Sequence, residues 1–306
     1  MPHLLHHLLN NCAQRLSLQT KQSCAKRCKV PDLVLHRALN RVSELRICHL
    51  TLDWLSFYAV SEVSEPITYY PLVEKALSTL MENPAFILND SDVLHGYLGY
   101  QANDPAIGIG AFKTVHHARL TLNPPANGGL GVATNEHVVM KRPYYNKGRS
   151  KDDQPLQHRI ARYSVTDELT KVLVEANILM WASCLMSVTY GFIDRFLEKS
   201  SQPPPFFIPR LRFVQAGIAV AQQAINRRST AHAGYLLEEY IDPSVQGPFI
   251  KYIHNTDAVL LSDENEEGYN IALFLCFAQH VQYTKTGCAT YVSDFQGMLQ
   301  AIMLHV

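Results

Sequence analysis

Two glycines and two lysines give this sequence its first recognisable chemistry. Gly108-Ile-Gly110-Ala-Phe-Lys113 stands just before a strand-like run, and Val138-Val139-Met140-Lys141 ends the next such run about thirty residues later. Glycine lets backbone approach a polyphosphate closely, and a lysine projecting from an adjacent strand can neutralise its charge. A flexible glycine-rich turn over a nucleotide, with a strand lysine on its phosphates, is a known solution to phosphate handling. The stretch is not a Walker A motif, because no Gly-Lys-Ser/Thr opens a helix, and not a Rossmann loop, because a strand follows. Taken alone, the glycines also read as an ordinary hairpin bend.

The elements that must position these groups are legible in outline. Residues 114–122 and 132–141 read as two strands, joined by a loop in which Pro124-Pro125 and Asn127-Gly128-Gly129 supply the turn conformations. A polar stretch, NKGRSKDDQPLQHR, follows as an exposed loop. Residues 167–199 form one long apolar helical pattern, stopped by Ser-Ser-Gln before Pro203-Pro204-Pro205. A second helix is expected over 213–226, a strand over 234–241 and a third helix over 269–283, with strand-like CATYVSDFQG near the end. No internal repeat is visible.

With 306 residues, 27 basic against 27 acidic side chains and 47% hydrophobic content, the chain is long and apolar enough for a sizeable core. Its neutral balance argues against a nucleic-acid partner, whose footprint would be a basic excess. Seven scattered cysteines do not make a secreted disulfide framework, so they are read as reduced and the chain as intracellular, most simply cytoplasmic. The start MPHLLHHLLNNC is not a signal-peptide pattern. The longest uncharged stretch, 176–193, carries Asn177, Ser183, Ser187 and Thr189 and reads as a buried helix, so no membrane partner is expected.

The first fifty residues hold eight Lys or Arg and only Asp32 and Glu44 as acids, on a helical spacing of apolar residues. Residues 1–90 are therefore expected to form a helical, basic extension, either a transit-like or partner-binding segment or a solvated helix face. Within it, Cys24 and Cys28 have the spacing of half a zinc site, with Cys12, Cys48 or His49 as complements.

Four motifs in order carry a resemblance. Gly110-Ala-Phe-Lys113-Thr-Val-His-His-Ala118 resembles the G-a-m-R-x-x-y-x-a stretch of the alpha-kinase family of atypical protein kinases. Leu237-Glu238-Glu239-Tyr240-Ile241 and then Gly247-Pro-Phe-Ile-Lys251-Tyr252-Ile-His-Asn255 are similar to its v-E-p-y-i and G-x-F-x-K-Y-n-n-N. Phe277-Ala-Gln-His280, with Asp294-Phe-Gln296-Gly297 fourteen residues after the histidine, is similar to its a-F-s-H and D-l-Q-G. The likeness covers roughly residues 95 to 297.

The resemblance implies roles. Lys141 matches the ATP-phosphate lysine, and Lys113 stands where many members carry Arg, which keeps charge but loses the bidentate fork. Gly108 and Gly110 would complete the phosphate side, while Glu238 matches the hinge glutamate at the adenine edge with Tyr240 beside it. Asp294 matches the active-site aspartate and Gln296 the amide that helps hold the metal; both oxygen donors suit Mg2+. Further candidates are Lys251 and Asn255, which keep the K-Y-x-x-N frame, and Glu175, which could pair with Lys141. His280 matches a zinc ligand of the family, but no cysteine follows Cys288, so no family-type zinc is expected and His280 is read as a core histidine.

Only nine residues, MLQAIMLHV, follow Gly297, so the family's second metal-binding aspartate and glycine-rich segment have no counterpart here. The implied fold is α+β: a two-lobed kinase-like architecture with a strand-rich N-lobe over 91–235, an incomplete C-lobe over 236–306, and ATP between them. The implied function is ATP-dependent transfer of the γ-phosphate to a serine or threonine hydroxyl of an unknown protein substrate. A truncated, weak or inactive member that binds nucleotide or serves as an interaction module is the alternative, and a non-kinase helical scaffold a third reading.

Overall fold

Alternation along the strands decides the architecture. The computed structural model describes residues 62–147, 160–204, 208–225, 228–253, 261, 263–298 and 303–305. Seven strands form one antiparallel sheet: β1 (Glu62–Pro71), β2 (Leu94–Gln101), β3 (Gly108–Ile109), β4 (Lys113–Leu122), β5 (Glu136–Pro143), β9 (Ala216–Ile225) and β10 (Arg228–Glu239). Their order is β2-β1-β9-β10-β5-β4-β3, and β2 also pairs with β4. That extra pairing joins the ends of the series, so six strands close into a ring and only short β3 remains outside it. Every second residue points inward: Ile67, Tyr69, Leu98, Ala118, Leu120, Val138, Met140, Tyr235 and Leu237 fill the interior.

The remaining elements cover one side and extend it. The long helix α2 (Val165–Glu198) follows a short α1 (Leu77–Glu82). Ser164 caps α2 by accepting the Asp167 N–H at 3.2 Å, and Asp167 and Glu168 place negative charge in its first turn, where the helix dipole favours it. Its first half lays Val172, Ala176 and Leu179 on Ala216, Ile218, Val220 and Leu236 of the ring's outer face. Its second half carries Ala182, Leu185, Met186 and Ile193 into another core with Phe274 and Leu275 of α4 (Tyr269–Lys285). A four-stranded sheet of β8 (Arg212–Phe213), β11 (Phe249–Lys251), β12 (Gln296–Met298) and β13 (Met303–His305) belongs to this second half, in the order β11-β12-β13-β8. A two-stranded ribbon, β6 (Tyr145–Asn146) with β7 (Ile160–Ala161), the short α3 (Pro243–Gln246) and a 3-10 turn (Asp90–Asp92) complete the described elements. By length and composition α2 could cross a membrane, yet half of its most apolar window is buried within this fold.

The α+β class, the two strands around the Asn-Gly-Gly loop, the long helix and the helix after residue 268 are all present. Three expectations are corrected. The helix expected over 213–226 is absent from the described residues 213–225, where β8 ends at Phe213 and β9 runs over Ala216–Ile225. The first six residues of β9, AGIAVA, are buried on both faces, between the ring interior and α2, so they lack the alternation that marks a strand, and their alanines mimic a helix. The strand-rich half does not begin at 91, because β1 lies inside the stretch read as a helical extension and pairs with both β2 and β9. Nor does that half end at 235, since β10 runs on to Glu239. Cys24 and Cys28, with the rest of the basic N-terminal stretch before residue 62, lie outside the described residues.

Candidate functional site

Strand register places the expected cations in one row. Lys141 stands opposite Val115 of β4 on one side and Leu236 of β10 on the other. Side chains directly opposite each other share a face, so Lys113, Val115, Lys141, Leu236 and Glu238 all belong to the outer face of the ring. Lys141 Nζ lies 2.5 Å from Glu238 Oε2, and Glu238 is only 3% exposed. Lys113 Nζ lies 2.6 Å from Glu175 Oε2 on α2. The expected Lys141–Glu175 pair is therefore replaced: the carboxylate two residues beyond Leu236 takes Lys141 from the neighbouring strand, and Glu175 takes the cation of the next strand over.

The same row continues away from the lysines into three rings, of which the sequence singled out Tyr240 but neither His117 nor His137. His117 and His137 share the parity of Lys113 and Lys141, and both are exposed. Tyr240, just past β10, meets the His117 ring edge-on at 4.8 Å between centroids and lies 6.2 Å from that of His137. Lys141 is four residue steps along β5 from His137, a run of roughly 13 Å at the usual rise. The face thus has a cationic end and an aromatic end. A cavity of about 440 Å³ opens at the aromatic end, lined by His117, His137, Tyr240, Arg119, Asp104 and Asp242 among others. Burial, with Asp242 nearby, raises the Tyr240 hydroxyl, which keeps the ring neutral at physiological pH.

The glycine turn is tighter than an open loop. Gly110 donates its N–H to the Lys113 carbonyl at 2.9 Å, closing the β3–β4 hairpin in one turn. Tyr144 fastens that tip, its N–H donated to the Phe112 carbonyl at 2.9 Å and its hydroxyl to the Gly110 carbonyl at 2.8 Å. Neither Gly108 nor Gly110 has a positive φ, so glycine's conformational freedom is unused here. Ile107, Ile109 and Phe112 are left exposed around the tip.

Asp294 and Gln296 sit in the second sheet. Asp294 adopts a left-handed backbone, φ 63°, immediately before β12, and is 7% exposed. Its Oδ1 lies 2.5 Å from Lys251 Nζ, and Lys251 stands directly opposite Gln296 in the β11–β12 register. Phe295 anchors the turn from within the core, its carbonyl accepting the Tyr252 N–H at 2.9 Å. The two halves are tied where the strands end: Arg212 of β8 grips Glu239 with two hydrogen bonds of 2.7 and 2.8 Å, one residue beyond Glu238. Asn255 lies outside the described residues. His280 is half-buried on α4 rather than inside its core.

These donors were tested against a resident magnesium ion. One carboxylate and one amide are present, and the carboxylate's charge is already matched by an ammonium group; among the described residues no group of three His, Cys, Asp or Glu side chains gathers at one point. The set does not fit a resident divalent ion.

A larger cavity of about 770 Å³ lies elsewhere, between the Asn127–Leu130 loop, the middle of α2 and residues 211–216. Neither it nor the smaller one has Lys141 or Asp294 in its wall. A buried network at the opposite end of the ring was also unforeseen. Arg142 donates to both oxygens of the fully buried Glu168 at 2.9 and 3.3 Å, Gly234 N–H donates to the same carboxylate at 3.1 Å, and Arg162 donates to Thr114 Oγ1 at 3.0 Å. It holds the start of α2 to the ring, and its only sequence signal was an acid in a helix's first turn.

No family model matches the sequence, and no curated protein matches it. Solved structures do resemble it. The apoenzyme alpha-kinase domain of myosin-II heavy chain kinase A superposes with a TM-score of 0.44 at 14% identity, over 80% of this chain and 82% of that one. The inactive alpha-kinase domain of myosin heavy chain kinase A in complex with ATP gives 0.44 and 13% over 81% and 83%. An alpha kinase from Entamoeba histolytica gives 0.44 and 14% over 80% and 75%. In its described course, the chain is similar to alpha-kinase domains.

Proposed function

We propose that the chain binds ATP on the outer face of β4, β5 and β10 and is a protein kinase of the alpha type, transferring the γ-phosphoryl group to a serine or threonine hydroxyl. The observation that carries the reading is the row of residues on that face. Lys113 and Lys141 stand at one end, and His117, His137 and Tyr240 at the other, about the span of a nucleoside triphosphate apart. A base stacks on aromatic rings and phosphates need cations, so one face offers both halves of the ligand their complement. Glu238, buried between the two ends, supplies an acceptor for a purine amino group. Of the stretches that resemble the alpha-kinase family, 110–118 falls on β4, 237–241 on the end of β10 and 294–297 on the Asp294 turn and β12, whereas 247–253 falls at β11 and 277–280 on α4.

Phosphoryl transfer rests mainly on positioning and charge neutralisation. In this reading Lys141 and Lys113 neutralise phosphate charge, and Asp294, fixed by Lys251, receives the acceptor hydroxyl. ATP and a protein substrate are the partners proposed, inside the cell, with neither nucleic acid nor membrane involved.

A second reading, nucleotide binding without transfer, is favoured by one specific observation: each of the three lysines is already bound to a carboxylate. Incubation with γ-labelled ATP and a basic acceptor protein, beside Asp294→Ala, separates the two. Label transfer that the substitution abolishes supports the kinase. ATP-dependent thermal stabilisation without transfer supports the second reading, because a ligand that binds only the folded state raises its stability.

A further inference from the structure

We propose that Lys251 is a built-in cation for Asp294, so that this chain takes up a nucleoside triphosphate without a divalent metal ion. The inference rests on the nucleotide reading given above. A metal-bound triphosphate needs an aspartate whose oxygens are open to the ion and its waters, since magnesium keeps several waters and near-octahedral geometry. Asp294 offers little of that opening, its side chain being 10% exposed. Its Oδ1 is closed off from solvent and lies 2.5 Å from the Lys251 ammonium. Gln296, the other expected oxygen donor, is the direct cross-strand partner of Lys251, so the ammonium is flanked by both residues expected to hold the ion.

Displacing that ammonium is unfavourable. Removing one partner from a mostly buried pair leaves the other charge uncompensated, and here the Asp294 side chain is 10% exposed. The arrangement is also rigid. A left-handed φ at a non-glycine residue persists only where its surroundings over-determine it, and the Phe295 carbonyl is held from β11's end by Tyr252 N–H. Donors for the phosphate oxygens are supplied by the chain itself. An ammonium group has three N–H donors, and a carboxylate at a single oxygen uses one, so Lys113 and Lys141 can each hold a carboxylate and a phosphate oxygen together. The proposal thus assigns Lys251 as a positioning residue that fixes and neutralises Asp294.

The test is binding of ATP to the full chain, read by thermal shift and calorimetry in EDTA and in excess Mg2+. The expected result is the same stabilisation in both, with dissociation constants that agree within about threefold. Stabilisation only with Mg2+ overturns this inference and leaves the nucleotide reading standing, whereas none in either condition overturns both. Lys251→Met should weaken binding in EDTA by about tenfold or more, with Mg2+ restoring part of it. Unchanged binding in EDTA would mean that Lys251 is not the cation. Should that variant fail to fold, Lys251→Arg keeps the charge and should keep binding in EDTA, and loss there overturns the proposal. A manganese titration of the wild-type chain without nucleotide, followed by electron paramagnetic resonance, gives a readout that needs no variant. No stoichiometric uptake is expected, and uptake of one ion per chain sinks the idea.

Discussion

Lys141 Nζ lies 2.5 Å from Glu238 Oε2 across neighbouring strands, so the group expected at the phosphates and the group expected at the base are each other's partner before any ligand arrives. Register enforces this: Leu236 is the residue opposite Lys141, and Glu238 is two further along on the same face. Lys141→Met removes the phosphate cation and strands a carboxylate that is 3% exposed. It should abolish ATP-dependent stabilisation and lower intrinsic stability by about 2 kcal/mol, the usual range for an unpaired buried charge whose partner was partly solvated. Adding Glu238→Gln should recover most of the intrinsic stability and none of the ATP response. Urea denaturation with and without ATP checks both, and an ATP response retained in Lys141→Met removes Lys141 from the site.

The aromatic end makes a separate prediction. If a base stacks beside Tyr240, Tyr240→Ala should weaken ATP binding by roughly tenfold or more, as stacking contributes about 1–3 kcal/mol per base. Inorganic tripolyphosphate, which has no base, should bind the variant and the wild-type chain alike. Calorimetry with the two ligands decides it. Equal losses for both would place Tyr240 in the fold and not at a base.

Particular residues explain what the sequence disclosed and what it concealed. Residues 118–122 alternate, because Ala118, Leu120 and Leu122 fill the ring while Arg119 and Thr121 face outward, so β4 was visible at once. β9 was not, because both faces of its first six residues, AGIAVA, are buried and alternation carries no information there. β1 was hidden for another reason: its partners are 25 or more positions away, and pairing at that distance leaves no local mark. Lys141, Glu238 and Asp294 were found by motif, yet their partners depend on register, which no motif encodes. The pairing of His117 and His137 with Tyr240 also needed the register of β4 on β5, plus the point where β10 stops.

Arg142 and Glu168 make a prediction about the fold alone. Glu168 is fully buried at the start of α2 and receives two hydrogen bonds from Arg142, whose guanidinium also lies 5.4 Å from the centre of the Tyr235 ring. Arg142→Met should destabilise the chain by about 3–5 kcal/mol, because it leaves an uncompensated carboxylate inside the protein. Arg142→Lys should recover only part of this, since an ammonium cannot form the two-pronged contact. Chemical denaturation of the two variants gives the ranking, and equal stability would show that the fork is not what holds α2.

His116 sets a pH dependence whose sign follows from its surroundings. It lies half-buried on β4 opposite Met140; burial lowers its pKa, the nearby Arg162 and Arg142 lower it further, and Asp104 pulls weakly the other way. The unfolded chain, with an ordinary imidazole near 6.5, therefore takes up the proton before the folded one does. Stability from the neutral ring is complete above that value and is lost as the pH falls through it toward the lower folded value. Melting temperatures of the wild-type chain and of His116→Gln, compared from pH 7.5 down to 5.5, isolate this contribution from that of other groups. The wild-type curve should fall more steeply between about pH 7 and 6. Parallel curves would mean that the ring is solvated and that Arg142 and Arg162 do not reach it.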